Sequence, residues 1–130
     1  MNRVVTDTMA IILRLENRKL PSKTAYLFEQ AEKNNIKIYI PTIVLAEIGY
    51  LSEKSRIDTN IFEVEAYCQR YSKIDVIGMT FASIKAAFSI SDIPELHDRL
   101  IASIALALDL PLITNDATIV KSQYVRTVWE

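Results

Sequence analysis

Residues 92–119 read DIPELHDRLIASIALALDLPLITNDATI, and this stretch decides the architecture. Asp92 stands three residues before Glu95, the spacing of a capping box, and Pro94 suits a first helical turn, where a missing N–H costs little. Leu96, Leu100, Ile104 and Leu108 then recur every four residues as a helical apolar stripe. Asp109-Leu110-Pro111 stops the helix, and LPLIT reads as a short strand buried on both faces. Asp98 lies beside Ala102 and Ala105 on a face of small residues, where an acid has no packing role.

Simple dimensions place two of the acids. The helix descends about 16 Å from Asp98 to Asp109 at ~1.5 Å per residue. The strand climbs back about 17 Å from Pro111 to Asp116 at ~3.3 Å per residue. Asp98 and Asp116 are therefore expected at one level, on the carboxyl edge of a sheet, where open α/β folds keep their sites.

Working outward, Arg3-Val4-Val5-Thr6 reads as a buried first strand with Asp7 at its end. Thr8 opens a helix carrying Met9, Ile12, Leu13 and Leu15. After Pro21-Ser22, the spacing of Thr24, Leu27, Phe28 and Ala31 predicts a second helix, with Asn34-Asn35 at its end. Ile36, Ile38 and Ile40 form the next strand. Pro41-Thr42 leads into a third helix, apolar almost all round through Ile43, Val44, Leu45, Ala46, Ile48 and Leu51, so it is expected to be central. Glu47 is the single acid in its middle, and a long side chain leaning back can reach the sheet edge. A fourth helix is expected over 58–73, with Ile61, Phe62, Val64, Tyr67, Cys68 and Tyr71 on its apolar side. A strand follows over 74–77, then a helix capped by Thr80 and carrying Phe81, Ile84, Ala87 and Phe88. Residues 124–129 suit a last edge strand. The alternation predicts one α/β domain over 1–130, with a mostly parallel central sheet covered on both faces.

Composition narrows the function. Of 130 residues half are hydrophobic and two are glycine, which argues for a packed core rather than disorder. A formal charge of −1 supplies no global basic field, so nucleic-acid binding would have to come from local patches. The single cysteine, Cys68, cannot form an internal disulfide and reads as buried filler in a reducing compartment. No apolar run is long enough for a membrane span and no signal-peptide layout is visible, so the cytoplasm is the expected location.

Four acids stand out by context: Asp7 and Asp116 after buried strands, Glu47 and Asp98 within apolar helices. Gathered at one edge they would repel, and a hard divalent cation resolves this. Mg²⁺ or Mn²⁺ suits oxygen ligands and water better than zinc does, and such ions commonly act on phosphates. Each acid also has a plainer reading. Asp7 and Asp116 can cap the helices that follow, and Asp98 can complement a helix dipole. Glu47 is hardest to explain structurally. His97 points about 100° away from Asp98, which favours a supporting role. Arg99 can pair with an acid or meet a substrate phosphate. Thr114 and Asn115 can hold water near a metal or simply finish the strand and turn. A phosphoacceptor receiver domain also keeps acids at its sheet edge, but Asp75 lies inside its strand and no Lys follows LIT.

The chain resembles the PIN domain, and more narrowly the VapC-type toxin ribonucleases of toxin–antitoxin pairs. The matching pieces are VVTDT with Asp7, PTIVLAEIGYL with Glu47, IPELHDRLIASIALALDLPLITND with Asp98 and Asp116, and the closing TVW. The resemblance implies a three-layer α/β/α fold and a Mg²⁺- or Mn²⁺-dependent endoribonuclease that cuts unpaired RNA to 5′-phosphate and 3′-hydroxyl ends. It implies Asp7, Glu47, Asp98 and Asp116 as the metal-binding and catalytic set, supported by Thr114 and Asn115. The family often places a further acid after the last one; here Ala117, Thr118 and Ile119 follow. A homodimer is also implied, with an antitoxin whose C-terminal segment lies in the groove and pushes a basic side chain toward the acids. Arg14, Arg18, Lys19, Lys23 and Arg99 are the cations available to guide RNA. A non-catalytic PIN-like domain that binds RNA or protein is the alternative reading.

Overall fold

Five parallel strands form one sheet in the order β3-β2-β1-β4-β5. The computed structural model describes residues 1–130. The strands are β1 (Arg3–Thr6), β2 (Lys37–Pro41), β3 (Ile74–Ile77), β4 (Leu112–Ile113) and β5 (Thr127–Val128), and they alternate with α1 (Thr8–Leu15), α2 (Ser22–Glu32), α3 (Thr42–Glu53), α4 (Ile61–Arg70), α5 (Phe81–Ser89), α6 (Leu96–Leu108) and α7 (Ala117–Val120). From β1 the chain moves one way to β2 and β3, then returns across the sheet to β4 and β5. Right-handed crossovers put the helices of the two halves on opposite faces. The reversal lies between β1 and β4, so their carboxyl ends flank the topological switch point.

The sheet owes its burial to Val4, Val5, Ile38, Ile40, Leu112 and Ile113, all fully enclosed. They join a continuous apolar cluster with Ile11, Ile12, Phe28, Val44, Ile48, Ile101 and Ile104 from the helices. The expected spacing of α2 holds: Thr24, Leu27, Phe28 and Ala31 are its buried residues. Thr80 caps α5 in a reciprocal pair with Ser83. With only two glycines, neither at positive φ, the left-handed residue beyond a helix is Asn17, Asn34, Ser55 or Asp109. Asn and Asp tolerate that conformation best among residues with a Cβ.

Several expectations need correction. The N-cap of α6 is Glu95, whose side chain accepts from the Asp98 N–H, so Asp92 and Pro94 lie outside the helix. Asp92 instead accepts from Ser122 Oγ and the Gln123 N–H, tying two loops together. The buried side of α6 is Ile101, Ala102, Ile104 and Ala105, whereas Leu96 is half exposed. Helix α3 is not enclosed: only Val44 and Ile48 are buried, and Tyr50 stands open to solvent. Helix α4 is shorter than expected and begins after Asn60, which caps it through the Glu63 N–H; Phe62 on its apolar side is exposed. Cys68 is half-buried rather than core filler. No helix is long and apolar enough to cross a membrane.

Candidate functional site

Asp7 follows β1 directly. Its N–H donates to the Ile113 carbonyl, which fixes it at the sheet edge, and its Oδ1 accepts from the Ala10 N–H at 2.9 Å as the N-cap of α1. One turn of backbone beyond β4, Asp116 does the same for α7, with Oδ1 accepting from the Ile119 N–H at 3.1 Å. Both acids are therefore caps and edge carboxylates at once. In each, one oxygen serves the helix.

Two acids arrive from helices. Asp98 sits in the first turn of α6. Glu47 lies in the middle of α3, and its Oε1 accepts from Thr8 Oγ1 at 3.0 Å, so the long side chain does reach back to the start of α1. All four acids line one open cleft of about 360 Å³, together with Thr8, Met9, Leu51, Ile101, Asn115 and Ile119. The equal level estimated for Asp98 and Asp116 agrees with their place on its wall.

The cleft makes two of these carboxylates, Asp7 and Asp98, resist ionisation. Burial pushes Asp7 up to about 6, against hydrogen bonds from Thr114 and Ala10, and the charges of Asp116 and Glu47 push the same way. Asp98 is also raised to about 6, by burial and then by Asp116, Glu95 and Glu47, with His97 opposing. Acids crowded without a cation want either protons or a metal.

The donor set fits a hard, water-rich ion. No three acidic side chains close on a common point as a protein cage would require. Mg²⁺ does not need one: it typically uses one or two carboxylates and completes its shell with water and phosphate oxygens. The four acids expected as ligands therefore line one cleft without forming a preformed cage.

The remaining expected residues divide. Thr114 is fully buried, accepts from the Asp116 N–H and hydrogen-bonds Asp7, so it braces two acids at once. Asn115 is exposed on the cleft wall. Arg99 is elsewhere: its guanidinium donates to the Ile93 and Pro94 carbonyls and lies over the Phe88 ring, so it clamps the turn before its own helix. Arg14 is held by both oxygens of Glu32. His97 Nδ1 lies 3.0 Å from Glu95, and that contact raises its basicity. Sequence reasoning missed Thr8 and Glu95. Both carry a visible signal, since Thr8 follows the strand-end acid and Glu95 stands at N-cap spacing from Asp98.

The fold and the carboxylate edge define a class, and comparison with known proteins gives it a name. The family described as "PIN domain" matches residues 4–122, and the chain belongs to it. Among solved structures it is similar to VapBC2 from Rickettsia felis bound to a promoter DNA fragment, with 21% identity, a TM-score of 0.75, and 98% of this chain and 99% of that one covered. DNA-bound VapBC from Salmonella typhimurium gives 19% identity and a TM-score of 0.73, with 98% of each chain covered. A toxin–antitoxin complex from Klebsiella pneumoniae gives 16% and 0.66, with the same coverage. At these identities the likeness establishes the fold. No curated protein matches in sequence.

Proposed function

We propose that this protein is a metal-dependent endoribonuclease and the toxin of a toxin–antitoxin pair. The observation that carries the reading is the single cleft at the switch point lined by Asp7, Glu47, Asp98 and Asp116. Membership of the PIN family supports nuclease chemistry, and the VapBC and toxin–antitoxin neighbours support the toxin assignment and an antitoxin partner. The large exposed side chains Phe81 and Phe88 on α5 are in keeping with a homodimer.

Asp7, Asp98 and Asp116 would hold Mg²⁺ or Mn²⁺, with Glu47 lining the same cleft. When bound, such an ion polarises a phosphoryl oxygen and lowers the pKa of its water. The protein's own residues then do the positioning. Thr114 fixes Asp7 and Asp116 relative to each other, and Thr8 orients Glu47. Glu47, partly buried at the cleft wall, is placed to accept a proton from attacking water. Asn115 can donate its amide to a phosphate at the rim. Unpaired RNA bends into such a recess more readily than a stiff duplex.

The test is incubation of the purified protein with a mixed RNA pool, with Mn²⁺ or with chelator, followed by mapping of the ends. Cleavage is expected only with the metal, and Asp7→Asn and Asp98→Asn should each abolish it. RNA that is bound but left intact in Mn²⁺ would instead establish the non-catalytic binding domain.

A further inference from the structure

A second groove, of about 570 Å³, runs along α3 beside the acid cleft, and the two share Glu47 and Leu51. Its floor is Ile43, Ala46, Glu47, Tyr50 and Leu51, one face of the helix, and His97 closes the other side. Tyr50 is 56% exposed. At the far end the Lys54 ammonium lies 5.5 Å from the Tyr50 ring centroid. Going along this face, the chain presents a cleft carboxylate, then an aromatic ring, then a cation.

We propose that this groove is the subsite for an unpaired nucleobase next to the scissile phosphate, with the base stacked on Tyr50 and its far phosphate neutralised by Lys54. The proposal rests on the nuclease reading for the position of the scissile bond. Lys54 lies over one face of the exposed Tyr50 ring, so the base takes the other, and an exposed aromatic paired with a cation is how sequence-tolerant single-strand sites are built. Glu47 to Lys54 spans about 10 Å along the helix at ~1.5 Å per residue, which leaves room for one base and its flanking phosphates. His97 and Glu47 supply polar atoms at the groove walls for a base edge.

The experiment uses Asp98→Asn protein, which holds RNA uncut, and a short oligoribonucleotide carrying a fluorescent purine analogue that is quenched by stacking. Binding is expected to quench the analogue. Tyr50→Phe should preserve this, whereas Tyr50→Ala and Tyr50→Leu should both remove it and weaken binding about tenfold. Lys54→Met should lower the slope of log affinity against log salt by about 0.7–1. Parent-like quenching by Tyr50→Leu would overturn the proposal, since apolar bulk without a π face would then suffice. It would equally fall if Tyr50→Ala split a dimer into monomers and left quenching intact, which assigns the face to a second copy. Cleavage of pooled RNA by the parent without quenching removes the subsite alone. Quenching without cleavage keeps the subsite and removes the nuclease.

Discussion

The two ends of α1 use the same chemical group in opposite ways. At its start, Asp7 shares a cleft with three other acids and no cation, and its ionisation is held back to about 6. At its end, Glu32 of α2 receives the Arg14 guanidinium at 2.7 and 3.0 Å and the Tyr67 hydroxyl at 2.5 Å. Burial pushes Glu32 upward, but Arg14 and Tyr67 outweigh it and hold the group below the usual carboxylate range. Glu16 nearby is likewise lowered, its Oε2 accepting from the Asp58 N–H and from both the N–H and hydroxyl of Thr59. Satisfied carboxylates staple α1 to α2, α4 and the loop before α4. The unsatisfied ones lie where a ligand can complete them. Carboxylates alone do not mark a site; carboxylates crowded together without a cationic side chain do.

The contrast is broken most directly by exchanging its consequences. Asp98→Asn should lose Mn²⁺-dependent RNA cleavage down to the level seen with chelator while folding normally. Glu32→Gln should keep activity per folded molecule yet lose about 2 kcal/mol, lowering the melting temperature on the order of 6–8 °C. A Glu32→Gln protein that is stable but inactive would reverse the assignment of the two ends.

A pH series sharpens it. The folded values of Asp7 and Asp98 rise from 3.8 to about 6, so the folded protein holds protons that the unfolded chain releases. That stability is complete below pH 3.8 and is lost as pH rises through about 6. Glu32 and Glu16 run the other way, contributing above the ordinary carboxylate range and failing only in acid. With chelator present, the melting temperature should therefore climb as pH drops from about 7.5 to about 5. Asp98→Asn should flatten that climb, and a parent curve without it would contradict the crowding argument.

Smaller effects complete the series. At neutral pH without metal, Asp98→Asn should melt at or slightly above the parent, because one like charge is gone. Adding Mn²⁺ should then stabilise the parent more than the variant, read as the shift in thermal midpoint. Arg99→Ala should cost about 1 kcal/mol through the lost Ile93 and Pro94 bonds, without changing the salt dependence of RNA affinity.

Much of this was legible in the sequence, for identifiable reasons. The buried strands and α2 obey periods of two and 3.6 without interference, and helix and strand rise alone put Asp98 and Asp116 at one edge, where both line the same cleft. The face of α6 was misjudged because steps of four advance about 40° each. Leu96 and Leu108 are thus about 120° apart and cannot share a buried side. The buried alanines at 102 and 105 instead let the helix lie close within the fold. For α3, apolar character all round reflected grooves on its flanks rather than enclosure. In the sequence Arg14 and Arg99 read as free cations, because their partners lie on another helix or on main-chain carbonyls. No spacing rule announces such pairings.

The double duty of Asp7 and Asp116 also constrains how this domain can decay. Each accepts a helix N–H, so on the proposed nuclease reading an amide or hydroxyl at either position would silence the chemistry while the helix start survives. Alanine there would loosen a helix as well as stop the reaction. The two kinds of substitution would thus separate loss of the proposed chemistry from loss of the scaffold that carries it.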